Sequence, residues 1–162
     1  MIYQIEPRDR PMGRRVLSIA EMRLADACAI ADHQIPGFVL MDHAGRHLAL
    51  RARDMMTSSS TCIVLAGRGN NGGDGYCAAR HLMALGRRVE VWAASPLWSL
   101  VDDAALAART AVLAGVPVKE PGQWQLTDVV NAAANTVLVD ALLGTGLKDL
   151  VRPEMAEIID AI

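Results

Sequence analysis

Thr61-Cys62-Ile63-Val64-Leu65-Ala66 runs directly into Gly67-Arg68-Gly69-Asn70-Asn71-Gly72-Gly73-Asp74-Gly75. The first six residues are short, apolar and β-branched, the pattern of a buried strand. Beyond the glycines, Asp74 to Leu85 reads as a helix stopped by Gly86 in the position just past its end. A strand, a glycine loop and a helix in that order make a ligand-binding turn of an α/β domain.

Working outward, Ser18 followed by Glu21 is a capping box, in which hydroxyl and carboxylate satisfy free amides at a helix start. It predicts a helix from about Ile19 to His33. Pro36-Gly37 turns the chain. Phe38, Met41, Gly45, Leu48, Ala52 and Met55 then recur at helical spacing, with Gly45 placed to let another backbone come close. Val89–Ala93, Val116–Lys119 and Thr136–Leu143 read as further strands. Val101–Ala114 reads as a helix stopped by Gly115, Thr127–Ala133 as a short helix, and Pro153 opens a last one. Strands alternating with helices imply right-handed crossovers and a mainly parallel sheet. Ligands then bind beyond the carboxyl ends of the strands, where Gly67–Gly75 and Gly144–Arg152 both lie.

The 162 residues fit one domain, read as an arm over 1–15 and a domain over 16–162. Hydrophobic residues make up 52% and aromatics 4%, so the core rests on Ala, Val, Leu, Ile and Met. Net charge is −2 and no basic run is long enough for a nucleic-acid surface. No apolar run reaches the roughly 20 residues that span a bilayer, and the first residues lack a signal-peptide core. Cys28, Cys62 and Cys77 form no CxxC pair and read as buried free thiols of a cytoplasmic protein. His43 and His47 share a helix face without a third metal ligand.

Gly67, Gly69 and Gly72 satisfy G-x-G-x-x-G, and Glu90 lies 18 positions later, where a dinucleotide fold has its ribose ligand. Two features argue against a pyrophosphate cradle. Two helices precede the first strand, and Asp74 is expected at the helix start, where it would occupy the free N–H groups. Asn70 and Asn71 both donate and accept hydrogen bonds, so the loop suits neutral polar groups or a monovalent cation. Opposite it, Asp140 interrupts an apolar strand. A carboxylate there is costly unless it is paired, binds a cation or faces water. Gly144-Thr145-Gly146 follows, with amides and a hydroxyl suited to phosphate or ribose.

Asn70-Asn71-Gly72-Gly73-Asp74-Gly75 with Ala78-Ala79-Arg80-His81-Leu82 resembles the signature of YjeF N-terminal domains. Val139-Asp140-Ala141-Leu142-Leu143-Gly144-Thr145-Gly146-Leu147 resembles their second signature, and Pro36-Gly37, Leu40-Met41 and Ala44-Gly45 match as well. The resemblance runs from about Val16 to Ile162. It implies a Rossmann-like three-layer α/β/α sandwich and NAD(P)H-hydrate epimerase activity, which interconverts the R and S forms of NADH or NADPH hydrated at carbon 6. It implies a dehydratase partner, often fused on the C-terminal side. Carried over by position, Asn70, Asn71, Gly72, Gly73 and Asp74 would contact the hydrate. Gly144, Thr145, Gly146, Leu147, Lys148, Asp149 and Leu150 would hold its other side, and Asn71 and Asp140 would ligate a potassium ion. Epimerisation needs proton transfer, by loss and re-addition of hydroxide or by ring opening and closing. Asp140 is the best-placed residue for that work or for holding the ion.

Arg68 stands where the family commonly has Pro, and Asp42-His43 where Glu-Asn or Glu-Arg is usual. The family's further strand with an Asp-x-Pro-Ser-Gly turn has no counterpart here. The expectation is therefore a truncated domain, weak or inactive as an epimerase. A non-catalytic scaffold of the same fold is the alternative, and an NAD-dependent dehydrogenase a distant third. The apolar N-terminal helices could serve a homodimer contact.

Overall fold

The computed structural model describes residues 16–132, 135–147, 150–160 and 162; the arm expected over 1–15 lies outside them. Helices α1 (Ile19–Ala31) and α2 (Gly37–Met55) precede strand β1 (Thr61–Ala66). Then come α3 (Asn70–Ala84), β2 (Arg88–Ala93), a 3₁₀ turn at Leu97–Ser99 and α4 (Asp102–Leu113). The chain continues through β3 (Val118–Lys119), α5 (Leu126–Val130), β4 (Thr136–Ala141) and α6 (Pro153–Asp160). The capping box at Ser18 and Glu21 forms as expected. Gly86 and Gly115 follow α3 and α4 with φ of 71° and 89°, which a Cβ would resist.

All strand pairs are parallel, in the order β3-β2-β1-β4. The chain thus steps outward from β1 to β3 and returns to the other side of β1 with β4. That reversal places a crevice at the carboxyl ends of β1 and β4, where the two connections leave the sheet. Register brings Leu65 beside Asp140 and Ala66 beside Ala141. The ladder extends one step further, Gly67 N donating to Ala141 O at 3.0 Å.

Alternation along the strands builds two cores. Cys62, Val64, Val89, Val91, Val139 and Ala141 face α2, α3 and α4. Ile63, Leu65, Trp92 and Leu142 face α5 and α6 through Val129, Met155, Ile158 and Ile159. Helices on both faces of a parallel sheet are the expected three-layer α/β/α architecture. Cys62 and Cys77 are fully buried, as expected, and burial pushes both thiols up to about 12. Cys28 departs from that expectation: it is half-buried, with Sγ 2.9 Å from Asp32 Oδ2.

Helix α3 begins at Asn70, four residues before the predicted Asp74. Glycines are poor helix formers, but here close packing demands them. A Cβ at Gly73 would strike Met41 Sδ, and one at Gly75 would meet Ala141 Cβ at 2.7 Å. One at Gly72 would collide with the Gly67 carbonyl. Across the layer, a Cβ at Gly45 would lie 2.8 Å from Asp74 O and 2.9 Å from Ala78 N. The close backbone approach expected at Gly45 is thus the α2–α3 crossing. Asp42 on α2 accepts from Arg80 and from His81, whose Nε2 is 2.9 Å away, and fixes the same crossing from its polar edge.

Candidate functional site

The crevice is a cavity of about 1020 Å³, ample for a nucleotide-sized ligand. One wall is Arg68, Gly69, Asn70, Asn71 and Asp74; the facing wall is Leu142, Leu143, Gly144, Thr145, Gly146 and Leu147. Asn71 Nδ2 donates to Leu143 O at 3.1 Å and joins the walls. Side-chain packing holds them close, since a Cβ at Gly144 would sit 3.1 Å from Asn71 Cβ.

Gly69 caps α3 without a side-chain hydrogen bond, and the first backbone bond runs from Gly73 N to Gly69 O. The N–H groups of the first turn therefore have no partner within the helix, and Gly69, Asn70 and Asn71 of that turn line the cavity. Asp74 lies in the second turn. It is not at the helix start, so the expected capping by its carboxylate is corrected, while Asp74 still lines the cavity. The helix start remains able to receive an anion.

Asp74 is half-buried. Its carboxyl is pushed up to about 6, first by burial and second by the charge of Asp26 on α1. A carboxyl raised this far holds its proton in a larger share of molecules near neutrality than an ordinary carboxylate does, and that acid form can donate it. Arg23, Arg68 and Arg152 also line the cavity.

Of the residues singled out in the sequence, Asn70, Asn71, Asp74, Gly144, Thr145, Gly146, Leu147 and Leu150 line this one cavity. Gly72 and Gly73 are buried beneath it, in the packing. Lys148 and Asp149 lie outside the described residues. Asp140 is exposed and is not in the cavity lining; its Oδ1 accepts from Leu142 N at 2.9 Å. Asp140 and Asn71 are thus each tied to the same turn, at consecutive residues. An amide oxygen and a carboxylate oxygen are hard donors of the kind that suit alkali and alkaline-earth cations. Among the described residues no three His, Cys, Asp or Glu gather as a metal site.

Glu90 lies within β2 rather than at its end, and its Oε2 is 3.2 Å from Lys119 Nζ. It lines a shallow groove with Thr61, Arg88 and Pro117, at the amino ends of the strands. The ribose contact assigned to it by the dehydrogenase reading is therefore lost. Sequence reasoning missed Arg23, Asp26 and Arg152. Their signal was faint: Arg23 and Asp26 are charges three apart on a helix whose other charge, Glu21, belongs to the capping box.

Residues 37–162 match the family described as YjeF-related protein N-terminus. The chain belongs to that family. This YjeF-related chain is 35% identical over 145 residues to the NAD(P)H-hydrate epimerase of Rhodopirellula baltica, covering 90% of this chain and 58% of that protein. It is 39% identical over 155 residues to the bifunctional NAD(P)H-hydrate repair enzyme Nnr of Salinibacter ruber, covering 89% and 29%. The epimerase of Pirellula staleyi is 35% identical over 153 residues, with 92% and 66% covered. The YjeF-related chain thus spans between under a third and two thirds of these relatives. The crystal structure of yeast ynu0 shares the fold, with a TM-score of 0.73 at 21% identity, covering 91% of this chain and 64% of that one. Among the described residues, no helix is long and apolar enough to cross a membrane.

Proposed function

We propose that the cavity binds hydrated NADH or NADPH and that the chain carries the epimerase half of a nicotinamide-cofactor repair activity. The observation that carries this reading is the convergence of Asn70, Asn71 and Asp74 with Gly144, Thr145 and Gly146 on one cavity, in a chain related to epimerases. The amides of Asn70 and Asn71 suit the neutral carboxamide and hydroxyl groups of the hydrated ring. The open N–H groups of α3, the arginines and the glycine turn suit the diphosphate.

Asp74 supplies the proton. It donates to the hydroxyl on carbon 6 as the C–O bond breaks, the ring nitrogen's electron pair forming the C=N bond. Water then adds to the opposite face and loses its proton to solvent, and the Asp74 carboxylate is reprotonated from solvent. Burial first and the charge of Asp26 second raise the share of Asp74 that carries a proton before the step. Asn71 and Asp140 are the ligands of a potassium ion in this reading, and Asp140 acts through that ion. When bound, the ion would fix the turn and the substrate's orientation. The fused or separate partner is a dehydratase that takes the S form, consistent with the bifunctional relatives. The setting is the cytoplasm, where reduced cofactors and free thiols coexist.

Calorimetric titration tests the ligand. Hydrated NADH is expected to bind at least tenfold more tightly than NADH, because the carbon-6 hydroxyl meets polar partners. Equal affinity would sink the reading.

A further inference from the structure

Helix α1 buries no residue, and Ile19, Met22 and Leu24 stay exposed. It also precedes Gly37, where the family match begins. Yet Arg23 Nη2 donates to Thr145 O at 2.5 Å, spanning 122 positions of sequence. Arg23 and Asp26 share a helix face, and both line the cavity.

A trans peptide is planar, so fixing the Thr145 carbonyl also fixes the Gly146 N–H. The guanidinium has five N–H donors in a rigid fork. One is engaged by Thr145, leaving others for a ligand. Two glycines point the same way. A Cβ at Gly69 or at Gly146 would meet nothing within 4 Å, and neither residue has positive φ. Neither packing nor backbone conformation requires glycine there, and both line the cavity. What their bareness leaves is room for a ligand to approach the backbone.

We propose that Arg23 is a positioning residue of the site: by holding the Thr145 carbonyl it fixes the Gly144–Gly146 turn, whose amides then seat the diphosphate of a dinucleotide. The identity of that dinucleotide rests on the epimerase reading; the seat itself does not. Helix α1 thereby becomes part of the binding site.

The test compares the wild-type chain with Arg23→Ala and Arg23→Lys. The probes are ADP-ribose, which carries the diphosphate without nicotinamide, and hydrated NADH. Amide exchange at Gly146 is followed by NMR without ligand. Arg23→Ala is expected to weaken ADP-ribose about tenfold at low salt, the loss of one charge-assisted contact. Gly146 exchange should rise severalfold while β1 amides stay unchanged. Arg23→Lys should recover part of the affinity. Where epimerisation is measurable, KM should rise with kcat held within about twofold. Unchanged ADP-ribose affinity in Arg23→Ala, unchanged Gly146 exchange, or no ADP-ribose binding by the wild type would overturn the proposal. ADP-ribose binding that depends on Arg23 in a chain that ignores hydrated NADH would support it and overturn the epimerase reading instead.

Discussion

Asn71 in the first turn of α3 donates its side-chain N–H to the Leu143 carbonyl beyond β4, 3.1 Å away and 72 positions along the chain. One hydrogen bond thus makes a single site of the two loops at the sheet's carboxyl edge. Asn71→Ala leaves the Leu143 carbonyl without that donor. It should cost about 1 kcal/mol by urea unfolding and abolish any response of ligand binding to potassium. A variant as stable as the wild type that keeps its potassium response would show that the walls are joined otherwise.

The α2–α3 crossing tolerates no side chain at Gly45, where a Cβ would face the Asp74 carbonyl and the Ala78 amide. Backbone cannot step aside as a flexible side chain can. Gly45→Ala should destabilise the fold by about 2–3 kcal/mol, read as a lower urea midpoint with unchanged slope. Since α3 carries Asn70, Asn71 and Asp74, ligand affinity should fall with it.

Asp74 gives a pH signature. Its carboxyl ordinarily titrates near 3.8 and is raised to about 6 in the folded chain, first by burial and then by Asp26. Between those values the folded state holds a proton that the unfolded chain has released. Stability therefore falls as pH rises through this window, then levels off. Asp74→Asn carries no charge and escapes the loss. Its Tm should exceed that of the wild type by about 2–4 °C at pH 8 and match it at pH 3.5. Identical melts at pH 8 would contradict the assigned environment. The same variant should bind hydrated NADH without epimerising it.

The cysteines separate by environment. Cys62 and Cys77 are buried, their thiols held near 12, so little thiolate forms at pH 8. Cys28 is raised by its hydrogen bond to Asp32 but is only half-buried. A disulfide-exchange reagent should label one thiol in the native chain and three after unfolding. Rapid native labelling of all three would show that α3 and β1 are loosely packed.

Much of this fold was legible locally. β1 appears at its predicted ends because an apolar β-branched run bounded by Ser60 and Gly67 has few alternatives, and positive φ at Gly86 and Gly115 marks where helices stop. The start of α3 was not legible. Asn70-Asn71-Gly72-Gly73 has weak helix propensity, and only contacts with Met41, Ala141 and the Gly67 carbonyl show why glycine sits there. Tertiary packing overrides local preference at such a crossing. β4 ends at Ala141, two residues early, where the Leu142 amide turns to the Asp140 carboxylate. The two loop walls were readable because each carries unusual composition at a strand end. The share of Arg23 and Asp26 was hidden by distance along the chain: no local pattern announces a hydrogen bond that spans 122 positions.

The most direct measurement follows equilibration of the pure S hydrate of NADH with its R form, by chromatography, with the potassium salt and again with sodium replacing it. In keeping with the weak activity expected of this chain, the account predicts slow R-form appearance, still above the uncatalysed rate with the wild-type chain, faster in potassium, and none above background with Asp74→Asn. Equilibration at the uncatalysed rate under both salts, or an Asp74→Asn variant as fast as the wild type, would contradict it.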